Sequence, residues 1–364
     1  YETLPSSKEN LEFAIDMESD RLVNSLIRAE DLASEMTVVR SEFEANENNP
    51  QGILFQRILA TAYEWHNYGK TTIGNRTDIM RVPVMNLRRF YQKFYQPDNI
   101  MVVLAGKFER DQALGLLEKY FGSLELPERE LPRTYTEEPP QDGERVVYLR
   151  RVGDTPLVGA AYHCVAAADP DYAALQVLGQ ILGDVPSGPL YQNLVKTDLA
   201  ARTTSTVVTG HDPGMLLAGA EVPENVEIEQ ARDALLNTLE NLSEDSINDE
   251  TVKRAVNQIL KRRERQFANS ESFALNLSEW RAYGDWRLYF LHRDRLEKVT
   301  PEDVMRVARS YLIPSNRTVG IFQPTDNPVR STVPSKPDLN RALADYRGRA
   351  KMSEGEAFEP QPDE

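Results

Sequence analysis

The sequence predicts an α+β fold of two homologous domains, each an antiparallel sheet with helices packed on one face, the first domain being incomplete at its N-terminus. Three observations predict it. Helical apolar patterns alternate with short apolar runs of strand length, a segment of the first half recurs in the second half, and a segment rich in Pro and Glu separates the halves. A length of 364 residues with 40% hydrophobic residues is enough for two such cores.

The first third of the chain is predicted to be helical. Residues 7–25 and 29–45 carry apolar residues with helical periodicity, and further helices are predicted at residues 52–65 and through Leu87, Phe90 and Phe94. The run Pro97-Asp98-Asn99 ends the last of these helices, and residues 100–105 have the apolar composition of a buried strand.

The second half mixes strands and helices. Strands are predicted at residues 145–152, 157–165, 203–208, 215–220 and 317–322. Helices are predicted at residues 172–182, 190–196, 226–242, 249–267, 272–282 and 301–311. The order of these elements is typical of antiparallel sheets covered by helices.

An internal repeat supports the division into two domains. Residues 82–105 match residues 299–322 at a constant offset of 217, each copy being a helix, a Pro-x-Asn stop and an apolar strand. We therefore predict the C-terminal part of one domain at residues 1–126, a linker at 127–143 and a second, homologous domain at 144–324. Residues 325–364 are predicted to be a linker or tail leading to a further half, ending in an acidic stretch.

Composition excludes several classes of function. Lys and Arg number 42 against 57 Asp and Glu, a net charge of −15, which repels nucleic acid and anionic membranes and makes a neutral or basic polypeptide the more natural partner. The single cysteine, Cys164, excludes an internal disulfide and a cysteine-based zinc site. No apolar run is long enough to span a membrane.

Glu35 and Glu42 are the candidate chemical residues. They lie seven residues apart in a predicted helix, so both carboxylates project from nearly the same face, two turns apart. Glu30, Glu44 and Glu47 lie nearby, and on periodicity alone a solvated acidic stripe is the more common explanation of such a pattern.

Four short segments carry a family resemblance that favours a chemical role for Glu35 and Glu42 over a solvated acidic stripe. They are EMTVVRSEFE at residues 35–44, HNYG at 66–69, YQPDN at 95–99 and SGPLY at 187–191. With them the chain resembles the insulinase/pitrilysin-type zinc metallopeptidases, which include the mitochondrial processing peptidase and carry an inverted H-x-x-E-H motif. The resemblance implies a zinc-dependent metalloendopeptidase that hydrolyses peptides or unfolded polypeptides in a chamber between homologous halves. It also implies that Glu42 is a zinc ligand and Glu35 a supporting carboxylate.

The departures from the family pattern are equally informative. No H-x-x-E-H occurs, and the four histidines, His66, His163, His211 and His292, are too dispersed to replace it. The general base is therefore absent, and we expect this chain alone to hold no Zn²⁺ and to be inactive. Val195 and Ala201 stand where the family often carries a substrate-holding arginine and tyrosine, which implies that a second homologous half or subunit supplies them. No substrate-binding residue is predicted.

The start of the chain and the missing motif leave two readings open. Tyr1 follows no initiator methionine or leader, and we expect the chain to begin within a domain, as a portion of a longer peptidase. A non-catalytic peptidase-like scaffold or partner subunit is the alternative. A helix whose sequence is no longer constrained by metal binding would, however, have no reason to keep both Glu35 and Glu42. A bacterial periplasm or cell envelope is the expected location.

Overall fold

The computed structural model describes residues 1–348; the acidic end of the predicted tail lies outside the described residues. The chain divides into two compact units, Tyr1–Asn327 and Pro328–Glu364. The helices of the first unit are α1 (Lys8–Asn24), α2 (Ala29–Glu47), α3 (Pro50–Ala62), α4 (Arg76–Arg81), α5 (Val84–Phe94), α6 (Arg110–Phe121), α7 (Asp171–Leu182), α8 (Ile228–Glu240), α9 (Asp249–Phe267), α10 (Ser270–Ala282), α11 (Leu288–Leu296) and α12 (Pro301–Tyr311). The second unit contains α13 (Leu339–Leu343). Within residues 1–348, no helix combines the length and apolar character needed to cross a bilayer.

Local sequence explains where several helices begin. The Asn49 side chain accepts a hydrogen bond from the Gly52 amide at 3.1 Å and caps α3, whose first residue is a proline. The helix α12 begins with a capping box in which Thr300 and Asp303 exchange side-chain and backbone hydrogen bonds. These caps satisfy N–H groups that have no partner inside the helix.

Five strands form one mixed sheet in the second half. They are β1 (Arg145–Arg151), β2 (Leu157–His163), β3 (Arg202–Val208), β4 (Met215–Glu221) and β5 (Arg317–Pro324). Their order is β1-β5-β2-β4-β3, and every pair is antiparallel except β1 with β5, which is parallel. The predicted α+β class is confirmed, although the parallel pair departs from a purely antiparallel sheet.

Helices cover both faces of this sheet. On one face, α7, α8 and α12 pack on Val158, Ala160 and Tyr162 of β2 and their neighbours in β4 and β5, forming the larger core. On the other face lies α3, from the first half, which packs on Leu157, Ala161 and neighbouring residues of β4 and β5. Successive side chains of a strand point to opposite faces, so β2, which is buried from Leu157 to Tyr162, contributes to both layers.

A row of three glycines lets α3 approach the sheet closely. Gly219, Gly159 and Gly320 lie opposite one another on adjacent strands, on the face covered by α3. A Cβ atom on Gly159 would lie 2.8 Å from Ile58 Cδ1, and one on Gly320 would lie 2.9 Å from Leu54 Cδ1. Glycine in a strand interior often marks such close contact.

The first half departs from the prediction. Residues 100–105 form no strand, and the described part of the first half, residues 1–144, contains no sheet. A strand is stable only when its backbone groups pair with a neighbouring strand, and that requirement cannot be read from an apolar hexapeptide. Helices α4, α6 and α11 were not predicted, and residues 191–195 form a π-helix instead of an α-helix.

The repeat, in contrast, is reproduced in backbone geometry. α5 and α12 both contain 11 residues, and both are followed by a 3-10 turn at the expected offset, Pro97–Asn99 and Pro314–Asn316. In each turn the asparagine side chain donates to a carbonyl at the end of the helix, Asn99 to Phe94 at 2.9 Å and Asn316 to Tyr311 at 2.8 Å. The surroundings differ: Val307 of α12 is 0% exposed, whereas the equivalent Phe90 of α5 is 56% exposed.

Candidate functional site

Glu35 and Glu42 lie on one continuous helix, α2, as predicted. Seven residues in an α-helix rotate through about 700°, so the two side chains share a face and are separated by about 10 Å along the axis. The apolar side of α2, which carries Leu32, Met36 and Phe43, lies about a quarter-turn of the helix from the two glutamates and is half-buried. The glutamate face is exposed.

The charges along α2 separate these two glutamates from the rest. Each of the other four acidic residues forms an ion pair with an arginine at 2.8–3.5 Å: Glu30 and Asp31 with Arg28, Glu44 with Arg76, and Glu47 with Arg151. In the part of the chain that is described, Glu35 and Glu42 have no such partner. Between them lies Val38, which is 61% exposed. This face of α2 therefore combines two unpaired carboxylates with an uncovered apolar side chain.

His66 has a structural role. It lies in the loop after α3, and its Nδ1 accepts a hydrogen bond from the Tyr68 amide at 3.1 Å. Its Nε2 therefore carries the proton and faces Asp212 Oδ2 at 3.3 Å. Both ring nitrogens are engaged, and the contact joins the loop to the turn between β3 and β4.

The other three histidines lie apart from α2. His163 Nε2 contacts the Ala62 carbonyl at 3.1 Å, and burial lowers the pKa of its imidazole. His292 is fully buried beside Gln176, at 2.9 Å, and burial lowers its pKa to about 3. His211 is exposed, next to Asp212. His292 belongs to the aromatic core with Tyr172 and Trp280.

The predicted linker is fixed to the loop of His66 by a contact that the sequence did not indicate. The Glu138 carboxylate accepts hydrogen bonds from the amides of Glu64, Trp65 and His66 at 2.6, 2.9 and 2.9 Å, an arrangement we call the linker clamp. Burial opposes ionisation of Glu138, but the three backbone donors outweigh it and hold its pKa below the usual value of 4.5.

A groove runs between α3 and the edge strand β3. Its cavity volume is about 260 Å³, its walls are Gln51 and Phe55 on one side and Thr204 and Thr206 on the other, and Gly219 lies in its floor. β3 pairs with β4 on one side only, and the other side of β3 has no strand partner in residues 1–348. Sequence reasoning predicted no substrate site, although glycine inside two adjacent strands is a signal of close backbone approach.

Comparison with known proteins places this geometry in a family. Residues 82–259 match the model described as the peptidase M16 inactive domain. The crystal structure of a protease from Helicobacter pylori superimposes with a TM-score of 0.80 at 25% identity, covering 88% of this chain and 78% of that one. The matched segment, residues 82–259, belongs to the M16 peptidase family.

Several curated relatives of this chain are named as zinc proteases. The zinc protease PqqE of Helicobacter pylori is 29% identical over 260 residues, 70% of this chain and 59% of the relative. The probable mitochondrial-processing peptidase subunit beta of Schizosaccharomyces pombe is 27% identical over 175 residues, 47% of this chain and 38% of the relative. The chain thus spans about 59% of the length of PqqE.

The residues of this chain do not by themselves fit a zinc ion. In residues 1–348 no group of three or more His, Cys, Asp or Glu side chains is arranged to hold a metal. A catalytic zinc site takes three protein ligands with an open position, and the exposed face of α2 offers two carboxylates. α2 also precedes the segment that matches the inactive-domain model.

Proposed function

We propose that these 364 residues are part of a longer zinc-dependent metalloendopeptidase, in which Glu42 is a zinc ligand and Glu35 the supporting carboxylate. The observation that carries the proposal is the exposed face of α2. Its two glutamates are the acidic residues of that helix that lack an arginine partner, and they flank the exposed Val38. An arginine paired with a carboxylate would compete with a metal ion, or with a metal ligand, for the same oxygens, so a metal-site carboxylate is expected to lack such a partner.

The remaining parts of the site would come from outside these 364 residues. The two histidine ligands and the general base would lie in an H-x-x-E-H segment of the longer protein, and a second homologous half would contribute to holding substrate. The partial coverage of PqqE supports this division. PqqL of Escherichia coli, described as a periplasmic protease, has a solved first half; at 16% identity that likeness concerns the fold alone. A periplasmic or envelope location is part of the proposal.

The groove beside β3 is the surface that we propose for holding the peptide. An extended peptide can add to an edge strand by main-chain hydrogen bonds, which suit many sequences and therefore suit unfolded polypeptides. The threonines of β3 that line the groove are exposed, and the groove volume leaves room for side chains of such a peptide.

Zinc content tests the ligand assignment directly. The longer protein should bind about one zinc per chain, and Glu42→Gln should lose both the metal and the activity because one ligand is removed. Glu35→Gln should keep more of the metal and lose about 10- to 100-fold in activity, as is usual for groups that support a ligand. The matched control is Glu44→Gln, on the same helix but paired with Arg76. Stoichiometric zinc in Glu42→Gln would refute the ligand assignment.

Blocking the groove tests the proposed peptide site. Thr206→Trp places a bulky ring on the exposed face of β3, and we expect it to raise KM for an unstructured peptide while zinc content stays unchanged. Val146→Trp, exposed on the opposite edge strand β1, is the control. Equal kinetics for the two variants would remove the groove from the proposal and leave the α2 assignment intact.

A non-catalytic scaffold is the second candidate, favoured by the match to a model described as an inactive domain. The same measurements decide between the two. A longer protein that binds no zinc and hydrolyses no peptide, while folding normally, would establish the scaffold.

A further inference from the structure

A basic pocket lies between the end of α7 and one face of α9. Its cavity volume is about 410 Å³, and it is lined by Gln180, Gly183, Asp184, Val185, Gln258, Lys261, Arg262 and Arg265. Neither helix carries Glu35 or Glu42, and the groove beside β3 has a different lining. The proposed function makes no use of this pocket.

The pocket concentrates positive charge in a protein whose net charge is −15. Lys261, Arg262 and Arg265 form no ion pair with any carboxylate of residues 1–348, while Asp184 is held by Arg254 at 3.5 Å and by the Ser187 hydroxyl. The C-terminal end of α7 contributes only a partial negative charge of about half a unit. The lining therefore carries three cations against one carboxylate, a formal net charge of +2.

One of the three cations is held in place by a chain of amides. Arg262 Nη2 donates to Gln180 Oε1 at 3.0 Å, and Gln180 Nε2 donates to Gln258 Oε1 at 3.0 Å. Arg262 is thus oriented by a neutral partner and keeps its full charge. A guanidinium fixed in this way loses less entropy when it binds an anion, and its remaining N–H groups match the geometry of a carboxylate.

We propose that this pocket binds an acidic peptide segment with carboxylates on alternate residues. Lys261 and Arg265 lie one turn apart, about 6 Å along the helix axis. In an extended peptide, alternate side chains lie on one side at intervals of about 6.7 Å. That spacing lets two carboxylates face Lys261 and Arg265 at once, with Arg262 between them.

Fluorescence anisotropy with the 364-residue chain tests the proposal. The probe is a fluorescein-labelled peptide with glutamate at alternate positions, and the reference is the same peptide with glutamine at those positions. At low salt the glutamate peptide should bind, with an affinity that falls as salt rises. Removing two charges in Lys261→Gln/Arg265→Gln should raise Kd about 2- to 30-fold, the effect expected for two exposed ion pairs.

A matched control separates this site from the general effect of charge. Lys253→Gln/Lys298→Gln removes the same two charges from exposed positions outside the pocket and should bind like the parent chain. Equal weakening in both double variants, or equal binding of the glutamine peptide, would overturn the proposal. Displacement of the peptide by inorganic phosphate at constant ionic strength would overturn the peptide assignment and identify a small oxyanion instead. Circular dichroism of each variant confirms that loss of binding does not reflect unfolding.

Discussion

Replacing Glu138 by glutamine should detach the predicted linker from the loop after α3. In the parent chain the two carboxylate oxygens accept three backbone N–H groups, one on Oε1 and two on Oε2. A glutamine has one acceptor oxygen and one NH₂ group. In either orientation of the amide, at least one N–H group of the loop faces a donor.

The expected loss follows from that count. A hydrogen bond to a charged acceptor contributes about 1.5–3 kcal/mol, and leaving a buried donor unpaired costs about 1–3 kcal/mol. Glu138 is only half-buried, so water replaces part of the lost interaction. We expect Glu138→Gln to reduce the free energy of unfolding by about 1–2 kcal/mol at pH 7. For a chain of this size that corresponds to a decrease in Tm of roughly 1–3 °C.

Thermal unfolding followed by circular dichroism measures this loss, and its pH dependence gives a second test. Because the pKa of Glu138 is lowered in the folded state, its contribution is fully present above the usual pKa of 4.5 and disappears as the pH falls below it. The difference in Tm between the parent chain and Glu138→Gln should therefore shrink in acid. The control is Glu137→Gln, at the exposed neighbouring position. An equal effect of both variants, or a difference that does not shrink as the pH falls below 4.5, would refute the role of the linker clamp.

Three further predictions concern the core. Gly320→Ala should destabilise the chain by about 1–3 kcal/mol in urea unfolding, because the added methyl group overlaps Ile58 where α3 meets the sheet. The control is Gly115→Ala in α6, where a Cβ atom meets no neighbour and no such cost is expected. Tyr162→Phe should cost about 1–2 kcal/mol, since the buried hydroxyl donates to Glu240 at 2.8 Å and Glu240 is held by Arg317; an unchanged urea midpoint would contradict it. His292, with its pKa lowered to about 3, should stay neutral at pH 5, and NMR titration of its ring measures this. Only the unfolded chain gains a proton at this residue between pH 6.5 and 3, so burial of His292 makes the fold less stable as the pH falls below about 6.5. A His292 ring that titrates near 6.5 in the folded chain would disprove this.

Features set by neighbouring residues were predictable from sequence. The position of Glu35 and Glu42 on one face follows from helix geometry alone, since seven residues nearly complete two turns. The repeat was visible for the same reason: the Pro-x-Asn stop after each helix is a local structure, and its asparagine bonds to a carbonyl five residues earlier in both copies. The strands of the second half were also predicted, because alternating or continuous apolar runs indicate a buried strand whichever part of the chain packs against it.

Features that join distant parts of the chain were decided by the tertiary structure. The apolar run at residues 100–105 looks like a strand but forms none, since a strand depends on a partner that its own sequence does not specify. The two free glutamates of α2 became distinct only when arginines elsewhere in the fold were seen to pair with the other acidic residues. The linker clamp, the glycine row and the basic pocket each bring together residues more than 70 positions apart. Sequence periodicity reports which face of an element is buried, whereas the identity of the group that meets it is fixed only by the folded chain.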